Sequence, residues 1–225
     1  MGNTWNYEIV LQEGRLVTPE LLKHVLDLAG SMGYELRFPV NVIGRNRLDD
    51  LQFANADALI TYMTTKGECF TVWNKANDDM LFTIIPPTRE FSFGVQYNLY
   101  EDRDEKMAHD LEAFFDLLCR DIKPHFAYSQ DEWTWEAAFP GTEFVTILKK
   151  FRKSILKGDL PLVLCWLTYL DRAYFERIPK TAFEGVELYK LTETEHGVFI
   201  QLAQHPWNAV NVMLQNGKYD FFFRY

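Results

Sequence analysis

The sequence predicts an α+β fold, a mostly antiparallel sheet flanked by three main helices. Three observations carry this. A strand, a helix and another extended stretch follow one another within the first 43 residues. Short apolar runs parted by turn residues come next, and apolar stripes at helical spacing recur at 107–122 and 142–157. The first pattern alone fits many folds; the short, turn-linked runs favour antiparallel pairing over parallel crossovers.

The elements read in order. The run "TWNYEIVLQ" is rich in β-formers and is broken by Glu13-Gly14. Thr18-Pro19-Glu20 supplies an N-cap, a proline at the first helical position and an early carboxylate. Leu22, Val25, Leu26 and Ala29 form the stripe of the helix that follows, Gly33 ends it, and "YELRFPVNVI" resumes an extended pattern. Three runs, "ALITYMTT", "CFTVWN" and "MLFTIIPP", are separated by Lys66-Gly67 and Asn77-Asp78-Asp79 and read as strands of a meander. "EFSFGVQYNLY" is a further strand. Asp104 caps a helix to about Ile122, with Met107, Leu111, Phe114, Leu118 and Ile122 on one face. "HFAYS" is extended, and a helix from Thr142 to Lys157 buries Phe144, Ile147, Leu148, Phe151 and Ile155, leaving Lys149, Lys150, Arg152, Lys153 and Lys157 on a basic face. The remainder reads as strand "LVLCWLTYL", a short helix from Asp171, strands "VELYKL" and "GVFIQLA", a segment around Trp207 and a final strand "KYDFFFRY". The expected organisation is one compact domain, 1–225. The order of its elements also fits two pseudo-repeated halves, 1–88 and 89–225, each a βαβ-plus-meander unit.

Composition narrows the function classes. With 225 residues and 16% aromatics, the chain has material for a substantial core. Acidic residues outnumber basic ones 32 to 23, for a net charge of -9, which opposes the phosphate-neutralising field that nucleic-acid binding requires. A basic partner fits better. No stretch has the character of a signal peptide or a membrane span, so the expected location is the cytoplasm.

Chemistry-bearing motifs are scarce. The 12 glycines are scattered and form no phosphate-binding loop. His24, His109, His125, His196 and His205 lack zinc-site spacing, and three cysteines, Cys69, Cys119 and Cys165, are too far apart for a knuckle or a disulfide framework. The sequence therefore nominates no catalytic residue, metal ligand or cofactor. Carboxylates among aromatics stand out in "YSQDEWTWEAAF", Tyr128 to Phe139. Glu132 and Glu136 have the chemistry of an acid–base pair on a carbohydrate or other small molecule, with Trp133 and Trp135 as stacking platforms, if the carboxyls stand roughly 5–9 Å apart. If the segment is extended, alternation places the tryptophans on one side, as a core plug or an interface, and the carboxylates on the other.

From Pro161 to Trp207 the chain runs "PLVLCWLTYLDRAYFERIP", "VELYKL" and "HGVFIQLAQHPWN". This order resembles the C-terminal region of immunity-type proteins of bacterial polymorphic-toxin systems, including contact-dependent and type VI secretion systems. The matched positions are Trp166, Thr168, Tyr169, Gly197, Gln201 and Pro206. The resemblance implies a noncatalytic inhibitor that binds and neutralises a cognate protein toxin. The candidate contact surface is acidic and aromatic: Glu101, Asp102, Asp104, Glu105, Asp131, Glu132, Trp133, Trp135 and Glu136. An enzyme using Glu132 and Glu136, or a general protein-interaction scaffold, is the alternative.

Overall fold

The computed structural model of the protein describes residues 4–43, 51–73, 79–84, 89–96, 104–131, 141, 144–157, 159, 164–179, 183 and 188–209. Within them the α+β architecture is a ten-stranded antiparallel sheet, open at both ends, with helices on both faces. The strands are β1 (Thr4–Val10), β2 (Val40–Ile43), β3 (Leu51–Phe53), β4 (Glu68–Trp73), β5 (Asp79–Ile84), β6 (Glu90–Gln96), β7 (Phe126–Asp131), β8 (Leu167–Asp171), β9 (Lys190–Glu193) and β10 (Gly197–Gln201). The helices are α1 (Pro19–Ser31), α2 (Ala56–Thr65), α3 (Glu105–Ile122), α4 (Phe144–Leu156) and α5 (Arg172–Glu176). Across the sheet the order is β3-β2-β4-β5-β6-β1-β7-β8-β10-β9. β4, β5 and β6 form a meander; "CFTVWN" and "MLFTIIPP" supply two of its strands as expected, and "EFSFGVQ" takes the place expected of "ALITYMTT". β1 lies at the centre, with Val10 opposite Glu90 on one side and Phe126 on the other.

Alternation along the strands sorts side chains into two cores. Trp5, Tyr7 and Ile9 of β1 join Phe82, Phe93, Leu167 and Phe199 on one face, covered by α1, α2 and α3. Val10, Phe126, Tyr128, Leu170, Val198 and Ile200 point the other way, against Phe151 and Ile155 of α4 and Tyr174 of α5. β8 and β10 lie between the two cores and are buried at every position, so they show little polar–apolar alternation, with Thr168, Asp171 and Gln201 as buried polar members.

The helix starts follow their caps. The Thr18 hydroxyl accepts from the Leu21 amide and the Asp104 carboxylate from the Met107 amide at 2.9 Å. The stretch "ALITYMTT" is helix α2 and not the expected strand. The Asn55 side chain accepts from the Ala58 amide at 2.9 Å, Asp57 sits in the first turn, and Leu59, Ile60 and Met63 bury one face in the same core as α1. A cap and a helical burial pattern outweigh the β-propensity of Ile60, Thr61 and Tyr62, because propensity yields to tertiary packing. The short strand β3 carries no strong pattern and was not anticipated from sequence. Of "VELYKL", only Lys190 and Leu191 belong to β9. The expected final strand "KYDFFFRY" lies outside the described residues.

Candidate functional site

Two oppositely charged helix faces, α3 on one side of the sheet and α4 on the other, are where the chain presents its chemistry. α3 presents carboxylates, each matched by a neighbour. Lys106 Nζ lies 2.5 Å from Asp110, and Arg120 lies 2.8 Å from Asp116, both one turn apart. His24 of α1 reaches Asp121, Lys190 of β9 lies 3.7 Å from Glu112, and His205 lies 3.9 Å from Glu105. The His205 ring stacks on Trp207 with centroids 4.6 Å apart. The start of α3 therefore combines exposed Glu105, half-buried Asp104 and an imidazole–indole stack. Glu112 also accepts from Gln201 Nε2, whose own Oε1 is buried with no hydrogen-bond partner among the described residues.

α4 does the reverse. Lys149, Lys150, Lys153 and Lys157 are exposed, as the sequence predicts, but Arg152 is not part of that face. It turns inward to Glu8 of β1, a side chain only 7% exposed, in a two-point grip: Nε donates to Oε2 at 2.7 Å and Nη2 donates to Oε1. Burial works against the Arg152 charge, and Glu8 outweighs it, pushing the guanidinium pKa higher still. Burial, then the Glu8 charge, pushes up both the Tyr128 phenol and the Cys165 thiol. Burial also raises the carboxyl of Glu90 on β6, again with Glu8 adding to it, while Arg152 and Arg89 partly offset the rise.

The sign of the Glu90 shift sets a test. A carboxyl whose folded pKa is raised favours the folded state while neutral, and that contribution is lost as pH rises through the folded pKa. Glu90→Gln is expected to raise the denaturation midpoint at neutral pH, with the advantage vanishing as pH falls below the ordinary carboxylate range. Urea titrations at both pH values check it. A lower midpoint for the variant at neutral pH would contradict the assignment.

Of the sequence-nominated surface, Asp104 and Glu105 lie at the start of α3, and Asp131 ends β7 opposite Trp5. Glu101, Asp102, Glu132, Trp133, Trp135 and Glu136 lie outside the described residues, as does the burial of the two tryptophans. The six positions of the C-terminal resemblance are all buried. Trp166 donates its indole N–H to the Ala203 carbonyl at 3.0 Å, and the Thr168 hydroxyl accepts from the Cys165 amide at 3.0 Å. Burial pushes the Tyr169 phenol up to about 12, with Cys119 and Asp171 adding smaller contributions. These residues build the β8–β10 scaffold. At Gly197 a Cβ would drive into the Leu170 carbonyl and the Tyr169 ring. Gly197→Ala should therefore cost about 1–3 kcal/mol through overpacking, read as a drop in unfolding free energy by urea titration.

His125 was an unassigned histidine in the sequence. Its Nδ1 lies 2.7 Å from Asp171 Oδ2, while Asp171 Oδ1 accepts from the Tyr174 amide at 2.7 Å to cap α5. Backbone bonds join the same places, with the His125 amide donating to Val10 and its carbonyl accepting from the Asp171 amide. Among the described residues no hydroxyl or thiol hydrogen-bonds to the ring, so the pair is a tie between β7 and β8. Neither Glu8–Arg152 nor His125–Asp171 was legible beforehand, since their members stand 144 and 46 residues apart. The one local signal was a charge at Glu8 inside an otherwise uncharged strand.

Among the described residues no group of three or more His, Cys, Asp or Glu side chains is placed to hold a metal ion. No described helix is long and apolar enough to cross a membrane. Cys119 and Cys165 are buried free thiols whose pKa values burial raises, so neither is activated as a nucleophile.

No known protein family matches the chain, and no curated protein matches it. Among solved structures, the Pseudomonas aeruginosa T6SS (type VI secretion system) protein PA0821 is similar, with a TM-score of 0.53 at 13% identity, covering 98% of this chain and 76% of that one. The two share a fold.

Proposed function

We propose that the protein is a secretion-associated binding protein that neutralises a cognate bacterial toxin through an acidic, aromatic-containing surface. The observation that carries this reading is the likeness of fold, along 98% of the chain, to a protein described as belonging to a type VI secretion system. The C-terminal run with Trp166, Thr168, Tyr169, Gly197, Gln201 and Pro206 resembles immunity-type proteins and supports it. The surface in this reading is centred on Asp104 and Glu105, where α3 begins beside the His205–Trp207 stack; Glu101, Asp102, Asp131, Glu132, Trp133, Trp135 and Glu136 are its further candidates on the ground of sequence alone. Carboxylates at a helix start beside aromatic anchors suit occlusion of a basic cleft: the charges speed encounter and the rings supply burial.

The test is co-expression with the product of the adjacent gene. Rescue of growth from that product, together with co-purification of the two chains, is the expected outcome. Charge reversal at Glu101, Asp102 and Glu105 should weaken both. A neighbouring product that is harmless, or toxic but unbound, overturns the proposal.

A further inference from the structure

The electrostatics of α4 point to a second, opposite kind of contact. Lys149, Lys150 and Lys153 of α4 and Lys157, one residue past its end, are exposed, and helical spacing puts them within about 100° of one another around the axis. Leu156, 41% exposed, sits at the border of that arc. Every α3 carboxylate named above has a cationic or imidazole neighbour, yet none of these four lysines has a carboxylate within ion-pair reach among the described residues. Among the described residues the four lysines thus form a concentrated positive field with no carboxylate facing it, on a chain whose net charge is -9. From this we infer that the outer face of α4 docks an acidic protein surface, with Leu156 seated against an apolar spot within it.

Three features select that partner over other anions. The arginine of α4 is spent on Glu8, so the outer face offers lysine point charges and not the planar forks that grip phosphate at two points. The overall charge repels a dense polyanion such as a nucleic-acid duplex. A helix lying on a membrane needs its apolar side free, whereas Phe151 and Ile155 are committed to the core. The inference does not rest on the toxin reading, since α4 lies across the sheet from α3.

The full chain would be titrated at low ionic strength against a fluorescein-labelled peptide of glutamates around a central leucine, followed by anisotropy. A short DNA duplex and phosphatidylserine vesicles serve as parallel probes. The expected result is saturable peptide binding that weakens with salt. Lys149→Glu/Lys153→Glu/Lys157→Glu should weaken it about tenfold or more, and Leu156→Ser should weaken it severalfold with the charge unchanged. Circular dichroism melting of both variants should match the parent, because the altered side chains are exposed. Absence of peptide binding, undiminished binding by the triple variant, or tighter binding to duplex or vesicles than to the peptide would overturn the inference.

Discussion

Arg152→Met is expected to destabilise the protein by about 3–5 kcal/mol, the cost of leaving a buried charge without its partner. Glu8 is almost wholly enclosed, between Ser92 and Tyr128 on neighbouring strands, and both of its carboxylate oxygens accept from the one guanidinium. Methionine restores the apolar bulk of the arginine stem without its donors. A second substitution separates a lost attraction from an exposed penalty. Adding Glu8→Gln to Arg152→Met removes the stranded charge and is expected to recover most of the loss, since neutral replacement of an enclosed ion pair is often close to free. Chemical denaturation of the single and double variants measures both. Equal destabilisation by the two would show that the arginine acts through packing and not through charge.

Trp166→Ala carries an expected cost of similar size, about 3–5 kcal/mol. The indole is fully buried, packs edge-on to Trp5 with centroids 5.4 Å apart, and satisfies the Ala203 carbonyl. Truncation opens a large cavity and strands that carbonyl. Trp166→Phe fills much of the volume and leaves the carbonyl alone unsatisfied, so it should cost about 1–3 kcal/mol. Urea unfolding curves for the two variants separate volume from hydrogen bonding; a phenylalanine variant as unstable as the alanine one would contradict that division. Trp166 belongs to the stretch that resembles immunity-type proteins, and its role in this structure is to join the tail of the chain to the first strand.

Legibility in the sequence followed how local each determinant is. Thr18-Pro19-Glu20 and Asp104 announce helices because the capping atoms lie three residues from the amides they satisfy. α2 was misread because Ile60, Thr61 and Tyr62 favour strands, while what makes it a helix is the Asn55 cap and burial beside α1, of which only the cap is local. Arg152 was assigned to the basic face by spacing alone, and its partner is 144 residues away. The nominated surface was legible as composition, yet only Asp104, Glu105 and the backbone of Asp131 fall among the described residues. The pairing of α3 carboxylates with Lys190 and His205, from distant strands and turns, could not be read from spacing within one helix.

The central place of β1 bears on how the chain reaches this state during synthesis. β1 is made well before its partners, which begin at Glu90 and Phe126, so one of its edges stays open until β6 is made and the other until β7 is made. Such distant pairings fold slowly and leave strand edges exposed to other nascent chains. Three helices made in that interval, α1, α2 and α3, lay their apolar sides against the face that β1 will complete. The exposure of β1 to misassembly therefore lasts until Phe126 emerges, and it ends when β7 closes on its second edge.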